Sequence, residues 1–375
     1  MDDMVVKNGK ALRCGFTTGT CAAAAAAAAA EALLTGRRPE FVQVLLPGGT
    51  EVPLPVDSCT FQDGGAACYV VKHAGDDPDV TDGIRIGAEV RRSPVPQFLL
   101  EGGYGVGRVT EPGLQVPPGQ AAINPVPRRM IRENVERVCR AHGEPGYLQV
   151  CIVAENGEQI ALKTFNPRLG IVGGISILGT TGVVEPMSER ALVETIHVLL
   201  RRAKAKNPTR VLLSPGNYGR DYCLRHFSFD LEDSVKYSNF LGETLDYLVY
   251  LGFRQALIVG HIGKLIKVAA GVMNTHSAVA DCRMEVLSAH AAMAGADSQT
   301  VKKLMACITT DAALAVLEEA GLTKMVMRSA LAKIQEHIRA RTRGAIQVEL
   351  IVFATGGQIA AQTAGAQMLA KGWGN

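Results

Sequence analysis

Nine consecutive alanines, Ala22–Ala30, constrain the fold of this chain more than any other stretch. Alanine has the best helix propensity, and a threonine such as Thr18 or Thr20 can cap the start of a helix. The sequence therefore predicts one helix through "TTGTCAAAAAAAAAEALL". Because its side chains are only methyl groups, another backbone can come close to this helix. The helix therefore either packs closely against a sheet or a ligand, or serves only as a smooth packing surface in the core. The run is too short to cross a bilayer, and Glu31 follows it.

The composition of the 375 residues is that of a soluble globular protein long enough for two domains. A net charge of +3 and a single tryptophan give no support for binding to nucleic acid or to a membrane surface. The nine cysteines contain no Cys-x-x-Cys pair, which predicts buried thiols and neither a disulfide framework nor a zinc site. The acidic start "MDDMVVKNGK" lacks the apolar segment of a signal peptide, so we expect a cytoplasmic protein.

Residues 1–168 predict a mixed α+β domain with antiparallel hairpins. Strands are predicted in "FVQVLLPGGTEVPLPV", "ACYVVKHA" and "IRIGAEVR", and a hairpin is predicted in "LQVCIVAENGEQIALKTF" with its turn at Asn156-Gly157. Between them, "PVPRRMIRENVERVCRAH" predicts a helix that starts after Pro127 and has an apolar stripe. We place the domain boundary near Arg168.

Residues 169–375 predict a Rossmann-like parallel α/β domain. Apolar strand patterns in "LGIVGGISI", "TRVLLSPG", "QALIVGH" and "AIQVELIVFAT" alternate with helical patterns. Alternation of this kind is typical of a parallel sheet with helices on both faces. The overall prediction is therefore α/β together with α+β, in two domains.

A glycine-rich loop, Gly173–Gly182, opens the second half with the sequence "GGISILGTTG". It nearly matches a phosphate loop, but Thr180 stands where that motif needs lysine, which argues against an NTPase. Two further loops, "SPGNYGRDY" and "VGHIGKLIK", also follow predicted strands. Because ligands bind at the carboxyl ends of parallel strands, we expect all three loops at one edge of the sheet. A ligand loop is favoured over a tight turn.

Three charged segments admit both a functional and a structural interpretation. "HAGDDPDVTDG" crowds Asp76, Asp77 and Asp79, which is ordinary turn chemistry but can also raise one carboxyl pKa towards that of a general base. "AINPVPRRMIR" and "FNPRLG" join Asn-Pro to arginines, which either bind an acidic ligand or face solvent. His261 and His276 lack the spacing of a metal pair, and satisfied structural histidines are the safer interpretation.

Long segments of the chain stand in the order of one protein family: "LRCGFTTGTCAAAAAAAA", "HAGDDPDVTDG", "GVGRVTEPGL", "AINPVPRRMI", "TFNPRLGIVGGISILGTTGVVEPMSE", "PGNYG", "YSNFLG" and "VGHIGKLIKVAAGVMNTHS". Through them the chain resembles the cobalt-precorrin-5B C(1)-methyltransferases of anaerobic cobalamin (vitamin B12) biosynthesis, from about residue 12 to residue 285. Two departures are Cys14, where serine is expected, and the alanine run, which a lysine often interrupts in the family.

The resemblance implies S-adenosylmethionine as methyl donor and a ring-contracted cobalt tetrapyrrole as acceptor. The acceptor is methylated at carbon 1 to give cobalt-precorrin-6A, and its cobalt arrives with the substrate, so no protein-bound metal is expected. The resemblance also implies two domains, one of them Rossmann-like.

Site residues follow from this chemistry as expectations. A general base, if one is needed, is Asp76, Asp77 or His261. The donor is expected to contact Gly173, Gly174, Ser176, Gly179, Thr180, Thr181, Glu185 and Asn217. The acidic acceptor is expected to contact Thr17, Thr18, Arg128, Arg129, Arg168, Lys264, Lys267 and His276.

The expected partner is the acidic tetrapyrrole, with no nucleic acid and no membrane. A homo-oligomer and transient contacts with neighbouring enzymes of the pathway stay open. Two alternative functions also stay open: a non-catalytic tetrapyrrole carrier or scaffold, and a nucleotide-dependent enzyme with an irregular phosphate loop.

Overall fold

The chain forms two compact units, Met1–Ser188 and Glu189–Asn375. The computed structural model describes residues 4–7, 9–62, 64–227 and 229–374. The division therefore lies after the boundary that the sequence suggested near Arg168. The cause is the Gly173–Gly182 segment, whose backbone bonds to Thr17 and Gly19 of the first unit instead of opening the second.

The first unit is built mainly from antiparallel strands and two long helices. Its elements are β1 Met4–Lys7, β2 Lys10–Arg13, β3 Gly15–Phe16, α1 Thr18–Thr35, β4 Phe41–Leu45, β5 Glu51–Pro55, β6 Ser58–Gln62, β7 Gly65–Val71, β8 Arg85–Arg92, β9 Leu99–Gly102, β10 Arg108–Val109, α2 Pro125–Ala141, β11 Leu148–Ala154, α3 Gly157–Ala161, β12 Ile171–Val172 and β13 Val183–Val184. Five strands form one sheet in the order β6-β7-β8-β11-β9. Only the β11–β9 pair within it is parallel.

Helix α1 lies at the centre of this unit. All nine alanines of Ala22–Ala30 are fully buried, because the helix packs on β7 and β8 and also on α2. The predicted helix is confirmed, but its N-cap is Thr17, whose side chain accepts the hydrogen bond of the Thr20 N–H. Among the described residues, α1 alone is long and apolar enough to cross a membrane, and 78% of that window is buried inside the protein, as in a core helix.

The predicted hairpin at Asn156-Gly157 is wrong. Strand β11 pairs with β8 and β9, and the chain then enters the short helix α3. Asn156 does take a positive φ of 56°, but it caps α3 rather than turning a hairpin. A side chain at Gly157 would overlap the backbone of Gly105, so this glycine serves close packing.

The second unit is an α/β arrangement. Its elements are α4 Glu189–Lys206, β14 Arg210–Ser214, α5 Arg220–His226, β15 Val235–Lys236, α6 Leu241–Leu251, β16 Gln255–His261, α7 Ile262–Leu265, α8 Arg283–Met293, α9 Ser298–Met305, α10 Thr310–Glu319, α11 Thr323–Thr342, β17 Gln347–Phe353, β18 Ile359–Gln362 and α12 Ala366–Lys371. The sheet order is β15-β14-β16-β17-β18. The first four strands are parallel, and β18 runs antiparallel at the edge.

The cysteines depart from the sequence expectation at one place. Cys59 and Cys68 face each other in the register of β6 and β7, and the structure pairs them as a disulfide with a Cα–Cα distance of 4.1 Å. Opposed residues of an antiparallel ladder come this close by geometry alone, which spacing along the chain does not reveal. Cys21 and Cys223, in the cores of the two units, are free thiols, as the sequence predicts.

Candidate functional site

The glycine-rich loop Gly173–Gly182 wraps the N-terminus of α1. Thr18 Oγ1 bonds to the carbonyls of Ser176 and Leu178 at 3.1 and 3.2 Å, and it accepts the Leu178 N–H at 2.9 Å. Thr20 Oγ1 donates to the Gly182 carbonyl at 2.6 Å. The loop and the "TTGT" motif therefore satisfy each other's polar groups. The expectation that this loop shares a sheet edge with the loops after β14 and β16 is wrong.

Close packing explains why glycine is needed at two positions of this loop. A Cβ at Gly174 would overlap the backbone of Gly105, and one at Gly179 would overlap the Thr17 side chain. Gly179 also has a φ of +136°, a region that side chains rarely enter. Gly173 differs, because a Cβ there would meet nothing within 4 Å. Glycine density thus reflects close packing at least as much as access for a ligand.

The predicted donor and acceptor residues near this loop fall into two groups. Thr17, Thr18 and Ser176 are buried and bonded within the protein, and Ser176 Oγ contacts Asn166 Oδ1 at 3.1 Å. Thr180, Thr181 and Glu185 are exposed. Glu185 forms an ion pair with Lys7 at 3.0 Å. Only the exposed group is accessible to a ligand, although Thr181 also bonds to the backbone of Val183.

The aspartate-rich segment is a hydrogen-bonded turn. Its contacts are Asp76 with Arg13 N (2.7 Å) and the Arg13 guanidinium (3.1 Å), Asp77 Oδ1 with Met187 N (2.9 Å), Asp79 with Lys72 Nζ (2.8 Å), and Asp82 with Ala74 N (2.7 Å). Each carboxylate thereby holds a different part of the first unit. Asp77 keeps its second oxygen without a hydrogen-bond partner among the described residues.

Crowding of carboxylates can raise the pKa of one of them, but the pKa values of Asp76 and Asp79 are both lowered. Hydrogen bonds from the Arg13 backbone and side chain lower the pKa of Asp76. Burial acts to raise the pKa of Asp79, but the ammonium of Lys72 and the N–H of Thr81 outweigh it, so the net shift is downward. Asp76 is therefore a weaker base than an isolated aspartate, with both oxygens engaged by Arg13.

The predicted arginines of the first unit differ in availability. Arg128 is half-buried and donates to the carbonyls of Ile123 and Ala121 at 2.8 and 3.1 Å, and burial lowers its pKa. Arg129 is exposed with Glu133 at 3.9 Å. Arg168 is exposed and lines a shallow depression with Leu162, Lys163, Thr164 and Phe165. Arg129 and Arg168 are therefore the members of this set that an acidic ligand can reach.

In the second unit, polar side chains gather where the parallel strands end. His261 ends β16, and its Nε2 lies 3.2 Å from Oγ1 of Thr355, which follows β17. Thr355 donates from Oγ1 and from its backbone N–H to Asp311, both at 2.8 Å. His261 Nδ1 accepts the Gly263 N–H at 3.0 Å, so the remaining ring proton lies on Nε2. Both nitrogens are engaged, which leaves His261 unsuited to take a proton as a base.

Tyr218 completes this group. It lies in the loop after β14, and its ring centroid is 4.4 Å from that of His261. Burial lowers the pKa of His261 and keeps the imidazole neutral, although Asp311 acts in the opposite direction. Sequence reasoning found His261 and this loop but missed Tyr218, Thr355 and Asp311. The signal for Thr355 was "FATGG" after a predicted strand, whereas nothing local marks Asp311.

The four other predicted contact residues of the second unit differ in exposure and in hydrogen bonding. Lys267 is 3% exposed and donates to the carbonyls of Thr275 and Ala280, so the expectation that it binds substrate is contradicted by its burial. Lys264 is half-buried, and burial lowers its pKa. Exposed His276 accepts the Ala278 N–H, and exposed Asn217 donates to Glu232 at 2.6 Å.

The second unit is an α/β arrangement with aromatic and polar side chains at the carboxyl ends of its parallel strands, the edge at which sheets of this kind bind ligands. The sequence model of the CbiD family matches residues 5–186, and that of the CbiD C-terminal domain matches residues 274–364. The chain belongs to this family.

Curated relatives agree with this membership. A Ruminiclostridium cellulolyticum protein named cobalt-precorrin-5B C(1)-methyltransferase is 49% identical over 94% of this chain and 92% of its own length. A protein of the same name from a Thermoanaerobacter species is 46% identical over 86% and 87%. A crystal structure described as the cobalamin biosynthesis protein (cbiD) of Archaeoglobus fulgidus aligns at 30% identity over 75% of this chain and 87% of that chain, with a TM-score of 0.42.

Proposed function

We propose that this protein transfers the methyl group of S-adenosylmethionine to carbon 1 of cobalt-precorrin-5B and forms cobalt-precorrin-6A in anaerobic cobalamin biosynthesis. One observation carries the proposal: near full-length identity of 49% to a relative that bears this activity in its name. The same name recurs at 46% and 41% identity. The cobalt is part of the substrate, and no group of three or more metal-binding side chains occurs among the described residues.

The reaction is an in-line displacement in which the donor supplies an electrophilic methyl and a neutral thioether leaving group. The carbon nucleophile forms the new C–C bond while the C–S bond breaks and its electron pair stays on sulfur. The protein therefore needs to align the two substrates and exclude water more than to supply a nucleophile. This fits a chain whose cysteines in the cores, Cys21 and Cys223, have pKa values raised to about 12 by burial and are not nucleophilic thiolates.

The second unit is the part that we propose to be Rossmann-like. Four parallel strands, with β14 and β16 central and helices between successive strands, support this. In such sheets a ligand lies beyond the carboxyl ends of the strands. For the first unit, exposed Arg129 and Arg168 are the cations that we propose to attract the carboxylates of the acceptor.

Methyl transfer is tested by incubating the purified protein with cobalt-precorrin-5B and S-adenosylmethionine whose methyl carries an isotopic label. We expect the label in the tetrapyrrole by mass spectrometry, with one S-adenosylhomocysteine formed for each methylated product. Omission of the tetrapyrrole is the control for donor breakdown. Tight tetrapyrrole binding with all of the label left on the donor would contradict the proposal and favour the carrier alternative.

A further inference from the structure

The ends of β14, β16 and β17 present one side-chain group in the second unit, here called the strand-end cluster and consisting of Tyr218, His261, Thr355 and Asp311. The Tyr218 ring is 54% exposed and rests on His261. The loops that carry the cluster are open, because a Cβ at Gly216, Gly356 or Gly357 would meet nothing within 4 Å. The cluster thus combines an exposed aromatic ring with glycine positions on which no other part of the protein packs.

The hydrogen bonds of the cluster fix its charges. Partial burial acts to raise the pKa of Asp311, but the two hydrogen bonds from Thr355 and the proximity of His261 outweigh it, and the net shift is downward. Asp311 is therefore a carboxylate at neutral pH, and its side chain is 37% exposed. His261 is neutral for the reason given above. The nearby cation, Arg283, is held by Asp281 through two bonds of 2.6 and 2.8 Å.

We propose that the strand-end cluster binds the adenosine half of the methyl donor, with the adenine on the Tyr218 ring and the ribose hydroxyls on the Asp311 carboxylate. The inference deepens the proposed function and rests on it. A flat base gains from stacking on an exposed aromatic ring, and a vicinal diol can donate two hydrogen bonds to one carboxylate. His261 and Thr355 act as positioning residues, since they hold the ring and the carboxylate in place.

The charge of the cluster selects among adenosine compounds. The exposed charge of the cluster is the Asp311 carboxylate, whereas the guanidinium of Arg283 is already paired with the carboxylate of Asp281. A donor with a cationic sulfonium suits this surface, whereas a nucleoside triphosphate would bring four negative charges beside an anion. The same reasoning disfavours the nucleotide-dependent alternative.

The test is calorimetric titration of the full-length protein with S-adenosylhomocysteine. Tyr218→Ala removes the stacking surface and is expected to weaken binding about tenfold or more, whereas Tyr218→Phe keeps the ring and should bind like the wild type. Tyr250→Ala is the matched control, because Tyr250 is a 78% exposed tyrosine of α6 in the same unit. The double variant Thr180→Ala, Thr181→Ala probes the competing site in the glycine-rich loop.

The outcomes separate this inference from the proposed function. Loss of binding in Tyr218→Ala, with Tyr218→Phe, Tyr250→Ala and the double threonine variant like the wild type, supports the cluster as donor site. Wild-type affinity in Tyr218→Ala, or loss of binding in the threonine variant alone, overturns it. An enzyme that transfers methyl groups but binds no S-adenosylhomocysteine overturns the preformed site and leaves the function standing, whereas donor binding without methyl transfer contradicts the function only.

Discussion

At Gly179 the backbone has a φ of +136°, and the Thr17 side chain occupies the place where a Cβ would lie. Thr17 is the N-cap of α1, so the two segments fix each other. Gly179→Ala adds backbone strain to a steric overlap, and we expect a loss of about 2 kcal/mol or more in the free energy of unfolding. The measurement is urea denaturation, with Gly48→Ala as control, because a Cβ at Gly48 meets nothing within 4 Å. An equal loss of unfolding free energy in the two variants would contradict the strain and the steric overlap assigned to Gly179.

Asp230 gives the clearest pH dependence at the level of single residues. Paired hydrogen bonds of 2.7 Å from the Arg220 guanidinium lower its pKa from 3.8 to about 2. A carboxyl with a depressed folded pKa stabilises the protein above its unfolded pKa, and this contribution is lost as pH falls through the folded pKa. The wild type should therefore be more stable than Asp230→Asn by a constant amount above about pH 5, and by less as pH approaches 2. A difference that does not change with pH would refute this.

Helix α1 is the element on which the first unit depends. Each methyl of Ala22–Ala30 is buried, so the sheet and α2 approach the helix backbone on different sides. Ala26→Leu forces added volume into this packing and should lower the free energy of unfolding by about 2 kcal/mol or more. Ala292→Leu on the exposed side of α8 is the control and should be nearly neutral. Thermal denaturation of both variants makes the comparison, and a neutral Ala26→Leu would show that the helix is loosely packed.

The elements also show what a sequence can and cannot predict. Helix α1 and strands β4, β5, β7, β8, β14, β16 and β17 follow from local patterns and were predicted where they lie. The hairpin predicted at Asn156-Gly157 is wrong because a positive φ suits the N-cap of a helix as well as a hairpin turn. The predicted position of the glycine-rich loop at the sheet edge is wrong for another reason. Its partners Thr17 and Gly105 are distant in sequence, so nothing in the local sequence reveals that the loop is packed. Asp311 was missed because only the fold brings it to Thr355.

At the scale of the whole molecule, the first CbiD family match and the first compact unit end close together along the chain. The CbiD match ends at residue 186, and the first compact unit ends at Ser188. The first unit buries Thr17 and Thr18 and keeps Arg129 and Arg168 exposed, while the second contains the strand-end cluster. The motifs that carry the family resemblance lie in both units.

The measurement that tests the central claim most directly is the position of the transferred carbon. The enzyme is given S-adenosylmethionine with a ¹³C-labelled methyl together with cobalt-precorrin-5B, and the product is analysed by NMR after purification. We expect one enriched methyl resonance whose long-range correlations place it on carbon 1 of the macrocycle. Label on another carbon would contradict the assigned regiochemistry, and an unlabelled tetrapyrrole recovered from enzyme that had bound both compounds would contradict methyl transfer itself.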